Sequence, residues 1–121
     1  MTTAIPVIPS GSTQGKAIKI VTTSTPGTLL HTTGTSATDI DEIWVSIFNT
    51  DTVARKVTIE LGGTTSPDDT IEITIPPEDG PMMVIGGQRL SGNGSAGLSV
   101  RAFCATANVC CALVNVNRIT P

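Results

Sequence analysis

Aromatic residues are scarce in this 121-residue chain, which has one tryptophan, two phenylalanines and no tyrosine. Charged residues are also few, at 14% of the sequence against roughly 25% in ordinary soluble domains. The hydrophobic content of 39% therefore comes mainly from Val, Ile, Leu and Ala. Small branched side chains fit the pleated surfaces of closely packed β-sheets, and a weakly charged surface favours association.

Basic clusters and long apolar runs are missing as well. The net charge is −3, and Arg55 and Lys56 form the one adjacent basic pair. Because nucleic-acid binding requires a basic stripe that neutralises phosphates, we expect no nucleic-acid partner. No apolar run approaches the roughly 20 residues that span a bilayer, and the N-terminus lacks a basic start followed by an apolar stretch. We therefore expect neither a membrane partner nor a signal peptide.

The sequence also lacks a catalytic motif. His31 is the single histidine, and we expect it to be a polar surface residue rather than a catalytic base. Residues 92–97 match the G-x-G-x-x-G pattern, but a strand-like alternation follows where a dinucleotide-binding loop requires a helix, which indicates a glycine-rich hairpin loop. Residues 11–17 resemble a phosphate-binding loop with Ala17 at the magnesium-ligand position, which indicates a linker. We expect no enzymatic activity, no cofactor and no metal.

Three cysteines, Cys104, Cys110 and Cys111, lie near the C-terminus. Their odd number differs from a secreted disulfide framework, so we interpret them as small buried hydrophobic residues. A bridge between Cys104 and Cys110 across a hairpin is the alternative.

Acidic residues are concentrated in three predicted turns, at residues 39–42, 68–69 and 78–79. Aspartate commonly caps tight turns with its own carboxylate, and this is the simplest interpretation. Two such loops meeting at one end of a sandwich would form a calcium site, which is the alternative interpretation.

The first 15 residues have the composition of an extended N-terminal arm. Pro6 and Pro9 interrupt an apolar stretch that contains Ile5, Val7 and Ile8. Proline removes backbone donors and fixes φ, so this segment is predicted to be extended rather than helical. Its apolar side chains favour binding to a neighbouring protein, and a disordered tail is the alternative.

From Lys16 onward the hydrophobic pattern has a period of two and predicts β-strands. About eight strands are predicted, at residues 17–22, 28–32, 42–49, 53–61, 70–75, 82–85, 97–106 and 109–119. Strand 42–49 is apolar on both faces and is expected to be central, whereas strand 53–61 is expected to be half-buried and paired with it as a hairpin. The sequence therefore predicts an all-β fold with a 1–15 arm and a single 16–121 antiparallel β-sandwich domain, either jelly-roll or immunoglobulin-like.

Four features together resemble small phage virion accessory proteins, above all capsid decoration (cement) proteins. They are the Ala4-Ile5-Pro6-Val7-Ile8-Pro9 arm, strand 42–49, the Ile75-Pro76-Pro77-Glu78-Asp79-Gly80 phrase and a final hairpin within residues 98–119. The resemblance implies a non-enzymatic structural protein, made in the host cytoplasm, that stabilises a phage capsid from its outer surface. It also implies a homotrimer whose partner is the major capsid protein, with contacts at Ile5, Pro6, Val7, Ile8 and Pro9. A phage tail or fibre component and a soluble carbohydrate-binding β-sandwich module are the alternatives.

Overall fold

The computed structural model describes residues 2–121, so Met1, the first residue of the predicted arm, lies outside the described chain. Within residues 2–121 there are β-strands and no helix. The nine strands are β1 (Thr3–Val7), β2 (Ile18–Lys19), β3 (Thr28–Thr32), β4 (Ile40–Asn49), β5 (Arg55–Leu61), β6 (Thr70–Ile75), β7 (Met82–Leu90), β8 (Ser99–Cys104) and β9 (Cys110–Thr120). The all-β prediction is confirmed, and β1 is a strand additional to the eight predicted ones.

The strands form two antiparallel sheets that pack face to face as a β-sandwich. Sheet A has the order β1-β9-β4-β7, and β2 also pairs with β9. Sheet B has the order β3-β8-β5-β6. From β2 onward the chain passes between the sheets at every connection except the one that joins β5 and β6. This strand order is that of a jelly roll, one of the two predicted topologies.

Two predicted hairpins are wrong, because their strands lie in different sheets. β4 belongs to sheet A and β5 to sheet B, so the link between them crosses the sandwich. The Asn49 amide holds this crossing by donating to the carbonyl oxygens of Val53 and Ile75. β8 and β9, expected as the final hairpin, are likewise separated. A short polar link can join two paired strands of one sheet or two strands of opposite sheets. Its sequence therefore did not show which of the two arrangements occurs.

The core lies between the sheets and consists of aliphatic side chains at alternate strand positions. Ile43, Val45 and Ile47 of β4 are fully buried in the same cluster as Val57 and Ile59 of β5. Full burial of one such side chain contributes about 1.5–3 kcal/mol. β4 lies between β9 and β7, which confirms its predicted central position.

β5 is buried on both sides from Val57 to Glu60, which corrects the prediction of a half-buried strand there, whereas Lys56 faces solvent as predicted. Thr58 and Glu60, expected to face solvent, are 5% and 1% exposed. The loop before β3 accounts for the burial of Glu60, because the Thr25 hydroxyl and the Gly27 N–H both donate to its carboxylate over 2.6 Å. The covering loop lies more than 30 residues earlier in the sequence.

The N-terminal segment is an edge strand of sheet A, and an extended arm is not confirmed. β1 pairs with β9 from Thr3 opposite Thr120 to Val7 opposite Val116. The chain then reaches sheet B, where the Gly11 N–H donates to the Leu30 carbonyl oxygen over 3.0 Å. Gly11 approaches the β3 backbone too closely for any side chain. Residues 3–11 are therefore part of the sandwich on both of its sheets.

Candidate functional site

The outer side of sheet A carries a group of partly or well exposed apolar side chains. We call it the apolar face and define it by Ile8, Trp44, Phe48, Met83 and Leu113. Since Ile43, Val45 and Ile47 point inward, the alternate residues of β4 point outward. The pairing places Leu113 and Met83 on either side of Ser46. Apolar side chains therefore lie on three adjacent strands, around Ser46 and beside Asn115.

Glycine residues leave the Trp44 indole accessible from the β7 side. The pairing of β4 with β7 passes from Gln88 to Gly86, so Gly87 is the extra residue of a β-bulge. Gly87 has a φ of 87°, and a Cβ there would lie 3.4 Å from indole atoms Cε2 and Nε1. A side chain at position 87 would be strained by this φ and would cover part of the ring.

The structure separates the five residues predicted as partner contacts. Ile5 and Ile8 are each 59% exposed, and Pro6 is exposed as well. Val7 packs against the core, and Pro9 is buried. The N-terminal segment thus offers Ile5, Pro6 and Ile8 to a partner, and Ile8 lines a cavity with Asn115, the residue opposite Trp44.

A buried polar network joins His31 of β3, Asp41 of β4 and Arg118 of β9. Arg118 Nε and Nη2 donate to the two carboxylate oxygens of Asp41 over 2.8 and 2.9 Å. His31 Nε2 lies 2.7 Å from Asp41 Oδ2. The Ser10 backbone N–H donates to His31 Nδ1 over 3.0 Å, so Nδ1 is unprotonated and Nε2 carries the proton donated to Asp41. The network therefore connects both sheets to the N-terminal segment.

The prediction of a surface position for His31 is wrong, because a β-bulge changes the side-chain alternation of β3. Leu29 pairs with Arg101 and His31 pairs with Val100, which leaves Leu30 as the extra residue. Leu30 and His31 are consequently both buried, although they are consecutive in a strand.

A hydrolase triad uses the same residue types as Ser10, His31 and Asp41. Here, however, the three side chains are arranged to hold the fold together. Ser10 Oγ lies 3.5 Å from His31 Nδ1, too far for the hydrogen bond that activates a nucleophile. The Nδ1 lone pair already accepts the Ser10 backbone N–H. Arg118 pairs with the Asp41 carboxylate, and His31 is buried away from any substrate. The arrangement anchors the N-terminal segment to the core.

The surroundings of Asp41 favour its charged form. Burial by itself would raise the pKa of Asp41, but the hydrogen bonds from Arg118 and His31 outweigh burial and hold the pKa below its usual value. The same contact with Asp41 raises the pKa of Arg118. Asp41 and Arg118 are therefore a stable ion pair at neutral pH.

A cavity of about 300 Å³ lies on the outer side of sheet B. We call it the threonine pocket, because six hydroxyl side chains line it, those of Thr23, Thr25, Thr58, Thr64, Ser66 and Thr70. Its floor includes Thr58, Glu72 and Phe103, which are neighbours in the pairing of β5 with β6 and β8. The buried carboxylate of Glu60 also lines it. No sequence pattern predicted this pocket, because its walls come from loops distant in the chain.

The three cysteines are free thiols. Cys104 and Cys110 are buried on the inner sides of opposite sheets, as small hydrophobic residues were expected to be. Burial, together with the neighbouring Cys104 thiol, raises the pKa of Cys110 to about 12. Cys111 is partly exposed, and burial raises its pKa as well.

Two of the three predicted acidic turns contribute a carboxylate with a structural partner, and one of these, Asp41, lies in β4 rather than in a turn. Asp41 joins the His31 network, and Asp69 accepts the Thr65 N–H within its own turn. Among residues 2–121, no three His, Cys, Asp or Glu side chains come together as metal ligands. Nor does this part of the chain contain a helix long and apolar enough to cross a membrane.

No model of a known protein family matches this sequence, and no curated protein matches it either. Homology therefore assigns no function to the apolar face or to the threonine pocket. Jelly rolls occur in viral capsid proteins and in lectins alike, so the fold alone does not choose between structural and ligand-binding roles.

Proposed function

We propose that the protein is a non-enzymatic phage decoration protein that attaches to the outer surface of a capsid through the apolar face. The supporting observation is the position of two of its three aromatic residues, Trp44 and Phe48, on an outward sheet surface beside Met83 and Leu113. Aromatic and Met side chains are enriched in protein interfaces, and contiguous exposed apolar surface marks a site of interaction.

The charges around the apolar face lie at its two ends. Glu42 and Arg89 form an ion pair at 3.1 Å at one end, and at the other Lys19 lies opposite Cys111 and Glu78 lines a cavity with Phe48. The proposed partner, the major capsid protein, therefore presents a mainly apolar surface. Modest contacts repeated over a symmetric shell give high avidity, which suits a small, weakly charged module. In this proposal the protein binds as a homotrimer and resides on the virion surface after synthesis in the host cytoplasm.

Point substitutions test this proposal better than removal of the first 15 residues. Deleting them would remove β1 and the Ser10 contact with His31, so lost attachment would not separate misfolding from a lost interface. Ile8→Ser and Met83→Ser change well exposed side chains of the apolar face. Val53→Ser is the matched control, because Val53 is 49% exposed in the crossing between the sheets and lies outside the apolar face.

The measurement is co-sedimentation with shells of the phage that encodes this chain, prepared without it, together with native mass by light scattering. Each apolar-face variant is expected to bind several-fold more weakly, because it loses a well exposed apolar contact, and the control is expected to bind like the wild type. A trimer of three 12.4 kDa chains is the expected native state. Wild-type binding by both apolar-face variants, or equal loss in the control, would contradict the proposal.

A further inference from the structure

We propose that the threonine pocket binds a neutral saccharide ring. The pocket lies on the outer side of sheet B, whereas the apolar face lies on the outer side of sheet A. The two surfaces are therefore on opposite sides of the sandwich, and a protein attached through one leaves the other open to solvent. Saccharide binding does not depend on the proposed capsid attachment.

The hydroxyl groups of the pocket provide the first argument. A hydroxyl both donates and accepts hydrogen bonds, as each hydroxyl of a sugar does. Of the six that line the pocket, Thr25 donates to Glu60 over 2.6 Å, and Thr70 lies 3.5 Å from Ser66 at the limit of a hydrogen bond. Thr58 is nearly buried on the floor between Glu72 and Phe103. Its hydroxyl is positioned to bond with a ligand that replaces water.

The Glu60 carboxylate provides the second argument, because it is 1% exposed and yet lines the pocket. It accepts one hydrogen bond on each oxygen, from Thr25 and from the Gly27 N–H. Arg101, opposite Glu60 in the pairing, donates instead to the Gly27 carbonyl oxygen over 3.1 Å. Because Glu60 is covered, it acts on a ligand through Thr25: the Thr25 proton goes to Glu60, so the Thr25 oxygen is left to accept a hydrogen bond from a sugar hydroxyl at the pocket wall.

Charge narrows the ligand class further. Lys56 and Glu72 pair with each other at 3.3 Å, so no unpaired cation lines the pocket. Phosphates, sulfates and sugar acids would lack a cationic partner there, and they would lie close to the Glu60 and Glu72 carboxylates. A metal ion is disfavoured too, because Glu60 and Glu72 are the only acidic residues lining the pocket and Glu72 is engaged by Lys56.

Phe103 supplies the apolar surface that saccharide sites require. It is partly exposed and lines the pocket next to Thr58. The C–H face of a pyranose packs on an aromatic ring while its hydroxyl groups bond at the ring edge. At about 300 Å³ the pocket is at the small end of ligand sites, which suits one sugar ring rather than an extended chain.

The test is a titration of the ¹⁵N-labelled protein, followed by amide chemical shifts. The probes are the methyl glycosides of glucose, galactose, mannose and N-acetylglucosamine. At least one should give saturable shifts at Thr58 and Phe103, with a millimolar Kd, since few polar contacts hold so small a ligand. The methyl glycoside of glucuronic acid, which adds a carboxylate to glucose, should bind several-fold more weakly than methyl glucoside.

Thr58→Val and Phe103→Leu should each weaken binding by fivefold or more. Thr74→Val is the matched control, because Thr74 lies on the same strand as Glu72, two residues further on, and does not line the pocket. Glu60→Gln is a second, shape-conserving variant, and its spectrum reports whether the loop still covers β5. Any one of four results would overturn the proposal. They are the absence of saturable shifts with all four glycosides, shifts confined to the apolar face, unchanged binding by Thr58→Val, and equal binding of the glucuronide and the glucoside.

Discussion

Asp41 and Glu60 both carry buried carboxylates, but different kinds of groups donate hydrogen bonds to them. Asp41 lies between the sheets, where the Arg118 guanidinium donates two hydrogen bonds and neutralises it. Glu60 lies on the outer side of sheet B, where its two donors, the Thr25 hydroxyl and the Gly27 N–H, are uncharged. Asp41 is thus paired with a cation, whereas Glu60 is covered by neutral donors at the wall of the threonine pocket.

This difference distinguishes a residue that holds the structure from one available for binding. Removing one partner of a buried ion pair leaves the other charge without compensation, so such a residue is expected to be essential for stability. A carboxylate held by neutral donors at the wall of a cavity tolerates a neutral replacement, because the amide still accepts one hydrogen bond. The same isosteric change therefore tests both regions.

The largest expected effect is the contrast between Asp41→Asn and Glu60→Gln. Asp41→Asn should lower the free energy of unfolding by about 3 kcal/mol, because Arg118 loses its anionic partner. Glu60→Gln should change it by less than about 1 kcal/mol. Urea unfolding at pH 7 measures both. Equal losses would show that the two carboxylates have the same structural role.

The strands were largely predictable from the sequence because each sheet has one buried side, which imposes alternation. The apolar positions of β4 and β6 follow this period, and both strands form where predicted. Alternation with a period of two does not reveal the bulge at Leu30, so His31 was predicted on the wrong side of β3.

The candidate sites were less predictable, because long-range contacts form them. Glu60 alternates like a solvent-exposed residue, and it is buried because the Thr25 and Gly27 loop folds over it. Ile5 and Val7 look equivalent in sequence, yet Val7 packs on the core and Ile5 is exposed. Local pattern identifies which residues are apolar, whereas tertiary packing decides which ones a partner can reach.

Acidification is expected to have an intermediate effect and to act through Asp41. The folded state holds the pKa of Asp41 below its ordinary value of 3.8, so its contribution to stability is present above that pH and is lost as the pH falls through the folded pKa. The wild type should therefore lose more stability than Asp41→Asn between pH 6 and pH 3. Urea midpoints at the two pH values measure this difference.

The control for acidification is Glu72→Gln, which removes a carboxylate from the exposed pair with Lys56. Exposed ion pairs contribute little to stability, so this variant should keep the wild-type response to pH. If Asp41→Asn lost as much stability in acid as the wild type, the Asp41 ion pair would not be the group responsible.

The smallest expected effect concerns the N-terminal segment that the Asp41 network anchors. Ser10 Oγ accepts the Thr32 N–H over 2.7 Å, and Ser10→Ala removes this bond while keeping the backbone N–H that His31 accepts. The variant should lose less than about 1 kcal/mol, because solvent can replace the hydroxyl. Hydrogen exchange should become several-fold faster at Thr32 and stay unchanged at Gly27, which bonds to Glu60. Ser12→Ala, whose hydroxyl bonds only within its own turn, should alter neither amide, and equal acceleration at Thr32 and Gly27 would mean that the two regions open together.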